Sequence, residues 1–162
     1  MAAGGIPRQG IDFLRELSNN NNKAWFDAHR NVYESGLLEP AKRLVADLGE
    51  QVRVFAPNIH AEPSVARGSI ARINRDIRFT KDKSPYKDHL DVFLWEGGGS
   101  SMSGCGFFVR ITPELVRIGA GKHDFEPNVL EAYRRMVVEP ETGQALELSL
   151  IHISEPTRQA EI

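Results

Sequence analysis

The sequence predicts an α+β fold, with N-terminal helices packed on a mostly antiparallel sheet of about four strands and a helix after it. Three observations predict it. Apolar residues recur at helical spacing from Ile11 to Phe55. The pattern changes to strict alternation from Ser69 onward. Helices come first and strands follow one another directly, so the strands pair as antiparallel neighbours.

Ile11, Phe13, Leu14 and Leu17 mark a first helix ending near Ser18. The tract Asn19 to Asn22 breaks it, because Asn favours turns and caps. Asn22 then caps a second helix carrying Trp25, Phe26, His29 and Tyr33. Trp25, His29 and Tyr33 are four apart and share one face. Trp25, Phe26 and Tyr33 at helical spacing read as core rather than as a stacking platform for bases. Gly36 interrupts, and Pro40 suits the first turn of a third helix. There Ala41, Leu44, Val45, Leu48, Val52 and Phe55 form a core-facing stripe. Pro57 and Pro63 bracket a loop.

Ser69 to Phe79, taken as a first strand, puts Ala71, Ile73, Arg75, Ile77 and Phe79 on one face. Arg72, Asn74, Asp76 and Arg78 face the other way. Asp88 to Trp95 alternates as a second strand, with Leu90, Val92 and Leu94 opposite His89, Asp91, Phe93 and Trp95. Gly97 to Gly104 is a flexible connection. Cys105, Phe107, Val109 and Ile111 form the apolar face of a third strand, which makes Cys105 an inert core thiol. Thr112-Pro113-Glu114 turns into a fourth strand, Leu115 to Ala120, the hairpin partner of the third. Asp124 caps a last helix with Pro127 in its first turn and Leu130, Tyr133 and Val137 on one side.

The bulk composition narrows the classes. The 162 residues, 41% of them apolar, suffice for one domain with a real core. The formal net charge of −2 argues against a generally basic nucleic-acid binder, so nucleic acid is not an expected partner. A local basic patch remains compatible with that charge. Cys105 is the single cysteine, which excludes an internal disulfide and a cysteine zinc cage. No apolar run is long enough to span a bilayer, and the start lacks a leader's apolar region, so a cytoplasmic protein without membrane contact is expected. The sequence sets no oligomeric state.

The densest charge lies between Arg72 and Lys87, R-I-N-R-D-I-R-F-T-K-D-K-S-P-Y-K. Guanidinium groups are planar, always charged and suited to carboxylate or phosphate. Arg72, Arg75, Asp76, Arg78, Lys83, Tyr86 and Lys87 are therefore the candidate ligand-binding residues, and a phosphate-bearing small molecule is the candidate partner. On an extended strand Arg72 and Arg78 would stand about 20 Å apart. They converge on one anion only if the chain bends after Asp76. The expected result is one shallow basic pocket lined by Arg78, Lys83, Tyr86 and Lys87. Tyr86 would face the basic cluster there, either presenting its hydroxyl to an anion or packing on Arg78. Arg75, between Ile73 and Ile77, is expected to be buried with Asp91 or Asp88 as its partner.

Other chemistries find less support. Asp76, Asp82, Asp88 and Asp91 with His89 match no recognised metal spacing, so neither a metal nor a cofactor is expected. Gly119-Ala120-Gly121-Lys122 is not a phosphate-binding P-loop, because Val116 stands where a glycine is needed and His123 where Ser or Thr is needed. No Ser/His/Asp triad is discernible.

The N-N-x-x-W-F segment (Asn21 to Phe26), Tyr33, Pro40 and the R-x-x-R-D-x-R-F…K-S-P-Y-K block together resemble the DUF2461 family of uncharacterised, mostly bacterial proteins. The likeness runs roughly from Ile11 to Val138. It implies a fold and no mechanism. Family members extend further after the position of Met136. Here Leu148 to Arg158, L-S-L-I-H-I-S-E-P-T-R, reads as the translation of a transposase-type sequencing-library adapter. The expected organisation is thus a disordered stretch over 1–10, one truncated domain over 11–147 and a non-native tail over 148–162.

Three functions stay open on this reading. The first is binding of an anionic, phosphate-bearing ligand. The second is a structural or protein-interaction domain whose Arg cluster forms a buried ion-pair network. The third is an enzyme acting on a phosphorylated or nucleotide substrate, with Asp76 or Asp91 as proton acceptor; no catalytic residue is otherwise assigned.

Overall fold

The computed structural model describes residues 5–65, 67–98, 104–122 and 125–154. The chain gathers into two compact units, Met1–His123 and Asp124–Ile162.

The first unit opens on α1 (Arg8–Asn19), which starts at Arg8 rather than Ile11. It buries Phe13, Leu14 and Leu17. Asn22 caps α2 (Lys23–Ala28) as its residue type predicts, with its side chain accepting from the Trp25 N–H at 3.0 Å. A short α3 (Arg30–Val32) leads into a π-helix over Tyr33–Leu38, and that runs on into α4 (Glu39–Val52). Gly36 therefore does not break the helix as expected; it sits inside the wide π turn. Its backbone lies against α1, an approach that the glycine at position 10 makes possible. A Cβ on Gly10 of α1 would stand 2.4 Å from the Gly36 carbonyl oxygen, so the two backbones are in contact.

The α4 stripe holds for Ala41 and Val45, which are fully buried, and for Leu44, Leu48 and Val52, which pack on the core. Phe55 lies beyond the helix and is exposed.

Among the described residues the sheet has three strands rather than about four: β1 (Leu90–Glu96), β2 (Cys105–Ile111) and β3 (Val116–Lys122), antiparallel in the order β1-β2-β3. Gly97 follows β1 at a φ of 91°, which only glycine adopts without strain. The expected first strand, Ser69 to Phe79, is a loop held by isolated bridges, Ile70 to Val92 and Asn74 to Tyr86. Its own side chains explain the failure. Asp76 Oδ1 accepts from the Arg78 N–H, Thr80 Oγ1 from the Asp82 N–H, and Asp82 Oδ1 from the Ser84 N–H and hydroxyl. These local bonds compete with a ladder. Ile77 and Phe79, expected on the apolar face, are exposed in consequence.

One face of the sheet, carrying Leu90, Val92, Leu94 and Ile111, joins the helical residues Phe13, Leu14, Leu17, Phe26, Leu37 and Val45 in one core. Each such side chain contributes about 1.5–3 kcal/mol by leaving water. Cys105, expected in that core, is exposed, because it sits at the outer end of β2 opposite Glu96 and Lys122.

In the second unit, α5 (Pro127–Val138) has Pro127 in its first turn, as expected. The expected cap, Asp124, lies outside the described residues, and Glu126 takes the N-cap position. A further helix, α6 (Pro140–Ser154), spans the boundary drawn at Glu147. Among the described residues no helix is long and apolar enough to cross a membrane.

Candidate functional site

The half-buried charges gather around the start of β1, not along the Arg72–Arg78 segment. Asp91 is buried, with a side chain 8% exposed. Strand register puts Arg110 of β2 directly opposite it. Arg110 donates from Nε to Asp91 Oδ1 at 2.6 Å and from Nη2 to Oδ2 at 3.1 Å, a two-pronged contact. His89 Nε2 lies 3.4 Å from the same Oδ2, and Lys87 Nζ lies 3.9 Å from it. His89 Nδ1 meets Asp88 Oδ1 at 2.8 Å. Arg75 closes the chain, bonded to Asp82 and 4.0 Å from Asp88.

The charge states follow from these contacts. Burial pushes the Asp91 carboxyl up, but hydrogen bonds from His89 and Arg110 outweigh it and hold the group at about 2. The hydrogen bond to Asp91 raises His89, burial opposes it, and the bond to Asp88 adds to the rise. The hydrogen bond with His89 lowers Asp88, and the bond from Ser84 lowers Asp82. With a carboxylate beside each ring nitrogen, the charged form of His89 is favoured and would direct both N–H groups at acceptors.

The pH profile of stability should show this pair of shifts. The Asp91 contribution is present above the ordinary 3.8 and is lost as pH falls through about 2. The His89 contribution is complete below the ordinary 6.5 and is lost as pH rises through its raised value. Urea unfolding midpoints followed from pH 4 to 9 should therefore decline above about 6.5, and His89→Asn should flatten that decline. An identical alkaline slope in the variant would remove His89 from this role.

The residues expected to form one pocket are dispersed. Arg78 is exposed and turns back on Asp76, donating from Nη2 to Oδ2 at 2.7 Å and from Nε to Oδ1 at 3.0 Å. Its guanidinium lies over the Phe79 ring, 5.5 Å from the centroid, not over Tyr86. Lys83 donates to the Ile77 carbonyl at 2.8 Å. Arg72 is exposed and exerts a weaker pull on Asp76. Tyr86 is a core residue, its ring stacked on Phe26 at 4.2 Å. Arg75 does have a carboxylate partner, but the primary one is Asp82, because Arg110 already occupies Asp91. Its side chain is 26% exposed rather than buried.

Asp76 and Asp91, the proton acceptors expected of an enzyme, are both held at about 2. Carboxylates held that low are weak bases near neutral pH. Among the described residues no group of three or more His, Cys, Asp or Glu could hold a metal ion.

Sequence reasoning missed Arg110. The signal was present: it is the one charged residue in Cys105–Ile111. It also missed Arg117, which register places opposite Arg110 on β3.

No curated protein matches the chain, and no solved structure matches it. Over residues 9–152 it matches the family described as "Conserved hypothetical protein (DUF2461)", and the chain belongs to that family.

Proposed function

We propose that this protein binds a phosphate-bearing anion at Lys87, Arg110 and Arg75, with Arg117 at the margin. One observation carries the reading: three cationic groups, from Lys87, His89 and Arg110, converge on the single oxygen Oδ2 of Asp91. One carboxylate cannot satisfy them all. At 3.9 Å the Lys87 ammonium is beyond hydrogen-bond reach of Asp91, and it makes no other ion pair or hydrogen bond among the described residues. Its three donors are thus available to a ligand, and an adjacent anion would complete the cluster. Arg72, Arg78 and Lys83 serve the neighbouring loop and are left out of the site.

A titration calorimetry series with inorganic phosphate and pyrophosphate at low ionic strength tests this. Saturable binding is expected, weakening with added salt because partly exposed charges are screened over about 8–10 Å. Lys87→Ala should weaken it about tenfold or more, the scale of one charge-assisted hydrogen bond. Absence of saturable binding at low salt would sink the reading.

A second reading is favoured by Arg75, which ties Asp82 of the loop to Asp88 before β1. In it the network is a folding device that fastens the 71–89 loop to the sheet. Lys87→Ala would then shift unfolding and leave no anion affinity to lose.

A further inference from the structure

We propose, resting on the anion site above, that the ligand is a free nucleotide whose base stacks on Phe108 while its phosphate meets Lys87, Arg110 and Arg117. The outer face of the sheet supplies the argument. Register sets Asp91, Arg110 and Arg117 in one row and Phe93, Phe108 and Gly119 in the next. Alternation keeps both rows on the same face, away from the core residues Leu90, Val92 and Leu94.

Phe108 lies in an unusual position for an exposed aromatic. A Cβ on Gly119 would stand 2.3 Å from its Cε1 and 2.7 Å from its Cζ. The ring therefore lies across β3 in the space a side chain would fill. It is nevertheless 40% exposed, so part of its surface is open to solvent. A Cβ on Gly121, further along the same face, would meet nothing within 4 Å. Bare strand beside an exposed ring makes a flat apolar floor, which suits a planar base.

The cations are placed for the other end of such a ligand. Phe108 and Arg110 are same-face neighbours, about 6.5–7 Å apart along the strand. Arg110 and Arg117 stand directly opposite each other, with Cβ atoms about 4.5–5.5 Å apart. Like charges so placed repel unless an anion lies between them. Arg110 is bonded to Asp91, but Arg117 has no ion-pair partner among the described residues. A phosphate there would relieve the repulsion, and the attached base would reach Phe108. The apolar floor holds one base, and the chain carries a net charge of −2, so the assignment is to a free nucleotide and not to a strand of nucleic acid.

The test is calorimetry on the full chain at low ionic strength with inorganic phosphate, ribose phosphate, adenosine monophosphate and a short oligoadenylate. Adenosine monophosphate should bind about tenfold or more tighter than ribose phosphate, within the range spanned by base–aromatic stacking. Phe108→Leu should bring it down to the ribose phosphate level. Gly119→Ala, which pushes the ring off β3, should narrow the gap in the same direction. Equal affinity for ribose phosphate and adenosine monophosphate would overturn the stacking and leave the phosphate site standing. Failure of all the probes to bind would overturn both. An oligoadenylate bound at least tenfold tighter than the mononucleotide would overturn the assignment to a free nucleotide.

Discussion

Asp91→Ala should destabilise the protein by about 3 kcal/mol or more, the scale of removing one partner from a buried ion pair. The carboxylate is 8% exposed and stands among Arg110, His89 and Lys87. Without it, three cations face one another across a partly dry gap, and Arg110 loses both its hydrogen bonds. Asp91→Asn keeps the shape and one acceptor, so its loss should be smaller. The measurement is urea unfolding at neutral pH. The gap between wild type and Asp91→Ala should close as the pH falls through about 2, where the carboxyl itself is neutral. A loss below about 1 kcal/mol would show that water replaces the carboxylate and that the cluster is a surface arrangement.

Asp91 also shows where the sequence was legible and where it stopped. The helices could be read locally, because an N-cap such as Asn22 and a stripe such as Ala41 to Val52 are decided within a few turns of chain. β1 and β2 could be read from alternation and β3 from the turn before it. The expected first strand, Ser69 to Phe79, does not form, because alternation says nothing about a pairing partner. Between Arg75 and Ser84 the short polar side chains offered the backbone closer partners than a neighbouring strand. The primary partner of Arg75 was missed for a related reason. Arg75 was assigned to Asp91 or Asp88 as residues of the next strand; Asp88 stands 4.0 Å away, Asp82 is the primary partner, and Asp91 is claimed by Arg110 through cross-strand register. Register is fixed by the hairpin and the core together, so a contact of this kind emerges only once the sheet is formed. The charge density around Arg78 was real, but Asp76 neutralises that guanidinium two residues away.

Tyr86→Ala should cost about 3–4 kcal/mol, and Tyr86→Phe should be close to neutral in stability. The ring is 6% exposed and stacks on Phe26 with an interplanar angle of 16°. Its backbone is fixed from the far end of the sequence. Asn21 donates from Nδ2 to the Tyr86 carbonyl at 2.9 Å and accepts the Tyr86 N–H on Oδ1 at 3.0 Å. One side-chain amide thus stands in for a strand partner, joining the N-N-x-x-W-F segment to the S-P-Y-K segment. Deleting the ring opens a cavity against Phe26 at the point where this clamp holds the loop to the helices, so little can collapse to fill it. The hydroxyl makes no hydrogen bond among the described residues, so Phe should replace Tyr with little loss. Thermal or urea unfolding of both variants, with phosphate titration of Tyr86→Phe, separates core from ligand contact. Phosphate affinity lost in Tyr86→Phe at unchanged stability would return the hydroxyl to the binding site. Affinity kept, together with a large loss for Tyr86→Ala, would mark Tyr86 as a core residue that does not touch what Lys87 binds.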